Sequence, residues 1–171
     1  SFAIGVVELD PANPNIVWVG SGENNAQRSV GYGDGVYKSL DGGNSWKNMG
    51  LKDSGHISMI RFHPRDSNTV YVAAQGPLWN SGGDRGLYRS TDGGENWERI
   101  LDIDEDTGIN EFVVDPRNSN RIVASSYQRR RHVLVLINGG PGSGNHRIED
   151  GGVTWTEVSA GLPGDNMGRI G

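Results

Sequence analysis

Apolar and polar residues alternate in short runs that return along the chain. Ile4–Leu9, Ile57–Phe62 and Ile109–Val114 each alternate, and each is followed by a proline turn: Asp10-Pro11, His63-Pro64 and Asp115-Pro116. A second set of β-rich runs comes after these turns: Ile16-Val17-Trp18-Val19, Val70-Tyr71-Val72-Ala73 and Arg121-Ile122-Val123-Ala124. Alternation in β-branched residues, bounded by Pro, Asn and Gly, predicts short strands. Gly35–Lys38 and Gly86–Arg89 predict a third strand, and a stretch opened by Trp predicts a fourth.

Between the third and fourth strands lies a repeated string. It reads Ser39-Leu40-Asp41-Gly42-Gly43-Asn44-Ser45-Trp46, then Ser90-Thr91-Asp92-Gly93-Gly94-Glu95-Asn96-Trp97, then Ile148-Glu149-Asp150-Gly151-Gly152-Val153-Thr154-Trp155. A motif that returns about every 50 residues marks a repeat architecture. The Asp carboxylate accepts hydrogen bonds from backbone N–H groups just ahead of it. The Gly pair supplies positive φ, and the Trp brings a large apolar surface with one N–H to place. One unit is therefore four antiparallel strands, the blade of a β-propeller. The expected fold is all-β, with blade units at roughly 1–50, 51–103 and 104–160 and the start of a further blade at 161–171. Ile148 stands where Ser is expected, and Gly144-Asn145-His146 replaces the Gly-apolar-aromatic lead, so an irregular third strand is expected in the last unit.

Composition narrows the classes. Glycine accounts for 27 of 171 residues and hydrophobic residues for 34%, a balance that many tight turns and half-buried strands produce. The chain has no cysteine, which excludes disulfides and thiolate metal sites. A formal charge of −5 argues against a nucleic-acid partner, and no apolar run reaches transmembrane length. The pattern starts inside a strand at Ser1 and stops at Met167-Gly168-Arg169-Ile170-Gly171. About three blades fall short of the roughly 4–8 of closed propellers, so remaining blades or partner chains are expected to complete the ring.

The turn motif resembles the Asp-box, or BNR repeat, over the whole chain. Further stretches resemble the bacterial sortilin-like propellers: Asp106-Thr107-Gly108-Ile109, Val114-Asp115-Pro116-Arg117-Asn118, Tyr127-Gln128-Arg129-Arg130-Arg131, and Gly161-Leu162-Pro163-Gly164-Asp165 leading to Gly168-Arg169-Ile170-Gly171. The resemblance implies a secreted or periplasmic location. The Asp-box also occurs in sialidases, xyloglucanase-type hydrolases and assembly factors of photosynthetic complexes, so it implies a blade and not an activity. In the enzymes that carry it, the boxes lie away from the active site. That assigns Ser39, Asp41, Gly42, Gly43, Trp46, Ser90, Asp92, Gly93, Gly94, Trp97, Asp150, Gly151, Gly152 and Trp155 to structure.

Strand reversal puts the proline turns and the Asp-boxes on one face and the long loops on the other, where function concentrates. Tyr127, Gln128, Arg129, Arg130 and Arg131, read as loop, are candidate ligand-binding residues, and the three arginines with His132 could grip a carboxylate, sulfate or phosphate through Arg's planar donor fork; ion pairs with acidic loops are the plainer account. Trp79 could stack on a sugar or anchor a peptide, or simply plug its own blade. Glu23, Asn24 and Arg28 are polar enough for a glycan site or for a turn-rich loop. No metal site is expected. Asp102, Asp104 and Asp106 lack the Gly and Glu of an EF-hand, which leaves a looser calcium site as the one cofactor they could form. Gly139–Gly144 lacks the Lys-Ser/Thr of a phosphate loop.

A glycoside hydrolase needs two carboxyl groups about the scissile bond. Glu23, Asp34, Asp53, Asp84, Glu105, Glu111 and Asp165 are available, and nothing selects a pair. Arg169-Ile170-Gly171 is not the Arg-Ile-Pro of sialidases, and His56, His63, His132 and His146 are scattered. The sequence leans away from an enzyme, towards a binding or scaffold module for a protein, peptide or glycan. The alternatives are a propeller glycoside hydrolase and a structural subunit of a larger extracellular assembly.

Overall fold

The computed structural model describes residues 3–25, 27, 29–162 and 167–169. Among these, every regular element is a strand. The first sheet orders β1 (Ile4–Asp10), β2 (Asn13–Ser21), β3 (Val36–Ser39) and β4 (Lys47–Asn48). The second orders β5 (Ile57–His63), β6 (Asp66–Ala74), β7 (Gly86–Ser90) and β8 (Glu98–Leu101). The third is built on β9 (Thr107–Val114), β10 (Ile122–Arg131), β12 (Gly144–Ile148) and β13 (Trp155–Glu157), with β11 (Leu136–Asn138) added to the far end of β10. All pairings within the sheets are antiparallel.

Period-two alternation explains the stacking. In the middle sheet, Val70, Val72 and Ala74 join Trp18, Val36 and Met49 of the first, while Tyr71 and Ala73 join Ile109, Phe112, Ile122 and Ile148 of the third. A strand buried on both faces reads as a continuous apolar run, as Val70–Ala74 does. Trp18 anchors the first seam, edge-to-face with Phe62 at 6.3 Å and with Trp97 at 6.2 Å. Each first strand carries a register shift at the same place: between Ile4 and Val6, between Ile57 and Met59, and at Asn110 between Ile109 and Glu111.

The expected parity of faces is present. Gly42, Gly93 and Gly151 each donate an N–H to the carbonyl of Asn15, Asn68 and Asn120 in the proline-turn segment of the same sheet. The two turns of each blade therefore lie side by side.

Two expectations are corrected. Tyr127–Arg131 are not loop: they extend β10, with Tyr127 and Gln128 paired to Gly108 and Thr107 of β9 and Arg129–Arg131 paired to β11. Charged side chains hid a strand whose backbone has partners on both edges. The third strand of the last sheet is also regular, since β12 pairs with both β10 and β13. Backbone pairing does not need the missing Ser, and Ile148 fills the apolar seam at 1% exposure. Of the segment read as the start of a further blade, Pro163–Asn166, Ile170 and Gly171 lie outside the described residues, and the described part forms no strand.

Candidate functional site

The Asp-Gly-Gly turns are closed by their own residues. Asp41 accepts from the Ser45 N–H (2.8 Å), the Ser45 hydroxyl (2.6 Å) and the Ser39 hydroxyl (2.8 Å). Asp92 repeats this with Asn96 and Ser90. Asp150, which lacks the leading Ser, accepts from the Val153 and Thr154 N–H groups (both 3.1 Å) and from the Thr154 hydroxyl. Gly42 and Gly43 sit at φ 70° and 93°, and the other two pairs are likewise left-handed. The hydroxyl of Ser45 and the amide of Asn96, followed by the N–H groups of the same residues, hold Asp41 and Asp92 down at about 2.

That shift has a testable consequence. A carboxyl group depressed in the folded state stabilises it above the unfolded value of about 3.9 and loses the contribution as pH falls through its folded value. Asp92→Ala is expected to lower stability at neutral pH and to flatten the stability profile between pH 4 and about 2. Urea titrations over that range check it.

The opposite face gathers side chains from all three sheets around Gln75, at the end of the β6 run. Its N–H donates to the His56 carbonyl (2.9 Å), and its amide donates to Asn24 (2.8 Å) and to Asn110 (2.9 Å). Its side-chain oxygen accepts from Arg129, and its carbonyl accepts from Arg85. Arg85 also donates to the carbonyls of Pro77 and Asn80, which pins the loop before β7.

Arg129 is the unusual member. It is 3% exposed, and its Nη2 is buried without a partner. Burial depresses it to about 10; of the other groups that act on it, Tyr127 and Tyr32 oppose the shift, while Arg169 and Arg85 deepen it. No carboxylate is among them. His56, fully buried with both ring nitrogens unpartnered, packs on Tyr32 at 5.4 Å between ring centroids. Burial first, then Arg129, lowers it to about 4, so it is neutral at pH 7. Arg169 and Tyr32 are exposed and flank the buried guanidinium.

The sequence candidates divide accordingly. Arg129, Tyr127 and Asn24 belong to this cluster. Glu23 borders it, held below its usual range by the Gly31 N–H and then by Asn25. Trp79 is half-buried beside Tyr32. Arg130 and Gln128 alternate to the other side of β10, where Arg130 pairs with Asp106. Arg131 donates its N–H to the Leu78 carbonyl (2.8 Å). Arg28 lies outside the described residues, as does Asp165. The acidic trio disperses: Asp102 pairs with Arg99 (2.9 Å), Asp106 with Arg130, and Asp104 accepts from the Asp106 N–H (2.8 Å). Among the described residues no three His, Asp or Glu groups are placed to hold a metal. Gln75, His56, Arg85, Asn110 and Tyr32 were not legible as site residues. The one hint was a polar Gln closing the apolar run Val70–Ala74.

No family model matches the chain. Over 97 residues, 54% of its length, it is 34% identical to a probable oligoxyloglucan-reducing end-specific xyloglucanase of Neosartorya fischeri, of which it spans 10%. It superposes on a GH74 enzyme of Niastella koreensis with a TM-score of 0.63 and 25% identity, over 91% of this chain and 22% of that one. It superposes on YCF48 bound to D1 peptide with a TM-score of 0.50 and 15% identity, over 91% of this chain and 40% of that one. These neighbours are β-propellers. The chain is a partial β-propeller. Its three sheets are blades, and the chain spans only a minor part of each relative. No helix among the described residues is long and apolar enough to cross a membrane.

Proposed function

We propose that this propeller segment belongs to a non-catalytic binding and scaffold module of the Asp-box, bacterial sortilin-like type, exported to the periplasm or beyond. It recognises a protein, peptide or glycan through the face opposite the Asp-Gly-Gly turns. In this reading Asp41, Asp92 and Asp150 are architecture.

The observation that carries it is Arg129. A buried guanidinium with an open Nη2, its shift deepened by Arg169 and Arg85, is costly in the free protein and suited to receive an anionic group. Exposed Arg169 and Tyr32, with half-buried Trp79, provide the approach and an aromatic surface. The peptide in the YCF48 structure supports a peptide ligand on this fold.

The xyloglucanase likeness favours a second reading, a glycoside hydrolase. Such an enzyme needs a carboxyl group raised to act as an acid. On this face Glu23 is held low by Gly31 and Asn25, and Asp34 by Tyr37. Burial raises Asp106, but Ser81 and Arg130 outweigh it and hold it low. Glu8 is raised, by burial, and lies on β1 beside Arg61. None of the carboxyl groups held low on this face is tuned as that acid.

A combined glycan and acidic-peptide array, run beside a hydrolysis assay on xyloglucan oligosaccharides, tests the reading. Retention of a ligand without product is expected. Release of reducing sugar would overturn it in favour of the hydrolase.

A further inference from the structure

The ring of His56 is left unused by the fold. Its backbone carbonyl accepts from Gln75, but the imidazole is fully buried and neither nitrogen is bonded. Buried polar side chains normally have at least one partner. Glycines bring the backbone close around this residue. Gly22, Gly55 and Gly76 sit at φ 94°, 62° and 80°. A Cβ on Gly22 would lie 2.1 Å from the Gly55 carbonyl oxygen and 2.8 Å from the His56 Cα.

His56 and Arg129 are tied to one residue. Gln75 holds the His56 carbonyl through its N–H and Arg129 through its side-chain oxygen. Tyr32 packs on the His56 ring and acts on the charge of Arg129. Gln75, His56 and Arg85 belong to the middle blade, whose two seams are both formed, so residues of all three sheets enclose the pair. The open Nη2 of Arg129 is a donor, and the His56 ring becomes a donor at both nitrogens once it carries a second proton. Two such donors suit an oxyanion.

We propose that His56 is the second anion contact of this face, and that a carboxylate or sulfate group held between it and Arg129 binds together with a proton on the imidazole. This rests on the anion-binding reading of Arg129. The groups that face His56 set the sign. In the free protein burial first, then Arg129 and Arg85, disfavour the imidazolium; the Glu23 carbonyl and carboxylate oppose them without reversing the shift, and the ring is held at about 4. Tyr32 is raised above its ordinary value by burial and stays neutral. A bound anion offsets Arg129 and attracts the proton, which raises His56. Affinity is then highest below the bound value and falls as pH rises through it.

Sulfate is the probe, because it keeps its charge from pH 4 to 8. Titration calorimetry of the full chain with sulfate at pH 5 and pH 8, and NMR of the histidine rings with and without saturating sulfate, test the proposal. If binding returns His56 to its ordinary 6.5, sulfate binds about 30-fold tighter at pH 5 than at pH 8. One ring should titrate near 4 in the free protein and above about 6 with sulfate bound. His56→Gln should lose that ring and most of the gain at pH 5, while His63→Gln, on the opposite face, should keep both. Should His56→Gln fail to fold, the two measurements on the parent still decide. Sulfate bound equally at both pH values, with no ring moved, would overturn the proposal and leave Arg129 as the anion contact. No sulfate bound at either pH, in the parent as in Arg129→Met, would remove the anion site itself and this proposal with it.

Discussion

Trp97→Ala is expected to destabilise the protein by about 3 kcal/mol, the low end of the range for truncating a large aromatic in a core, because the ring is half-buried. The ring stands edge-to-face on Trp18, which is 1% exposed, and its N–H satisfies the Met49 carbonyl across the first seam. Truncation removes the apolar contact and leaves that carbonyl without its donor. Trp46→Ala, at the same motif position, removes a ring that is 44% exposed and bonded within its own turn. Its expected effect on the folding of one chain is within about 0.5 kcal/mol. Denaturant titrations measure both. Equal losses for the two variants would show that the seam is not what the motif Trp stabilises.

The contrast also shows what could be read beforehand. The turns were legible because their chemistry is local: Asp92 meets Ser90 and Asn96, two and four residues away. Strands such as Val70–Ala74 were legible because burial on both faces writes an unbroken apolar run. Tyr127–Arg131 were misread because the strand is specified there by backbone pairing to Thr107, Gly108 and Leu136–Asn138, which charged side chains do not advertise. Half of the candidate site stayed hidden for a related reason. Gln75 and His56 come from the second blade, Asn110 and Arg129 from the third and Asn24 from the first, and each is ordinary in its own stretch of sequence. Only stacking the blades makes Gln75 the point where Asn24, Asn110, Arg85 and Arg129 converge.

Arg129→Met should separate binding from stability. A structural arginine is lost at a cost, whereas one kept for a ligand is a burden in the free protein. Arg129 satisfies Gln75 through one nitrogen, and losing that bond costs about 1 kcal/mol. Against this stands a charge held out of water beside Arg85 and Arg169, with Nη2 open. Replacing buried charges with apolar groups of similar volume is neutral to stabilising by about 1–4 kcal/mol. The free variant is therefore expected to lie between about 1 kcal/mol less and about 3 kcal/mol more stable than the parent after the Gln75 bond is subtracted. Its affinity for an anionic ligand from the array should fall at least about 100-fold, the effect of removing a buried charge-assisted contact. Arg130→Met, across the strand, breaks the ion pair with Asp106 and should do the reverse, lowering stability and sparing the ligand. A destabilised Arg129→Met that still binds would make the guanidinium part of the scaffold and leave the face without its anion anchor.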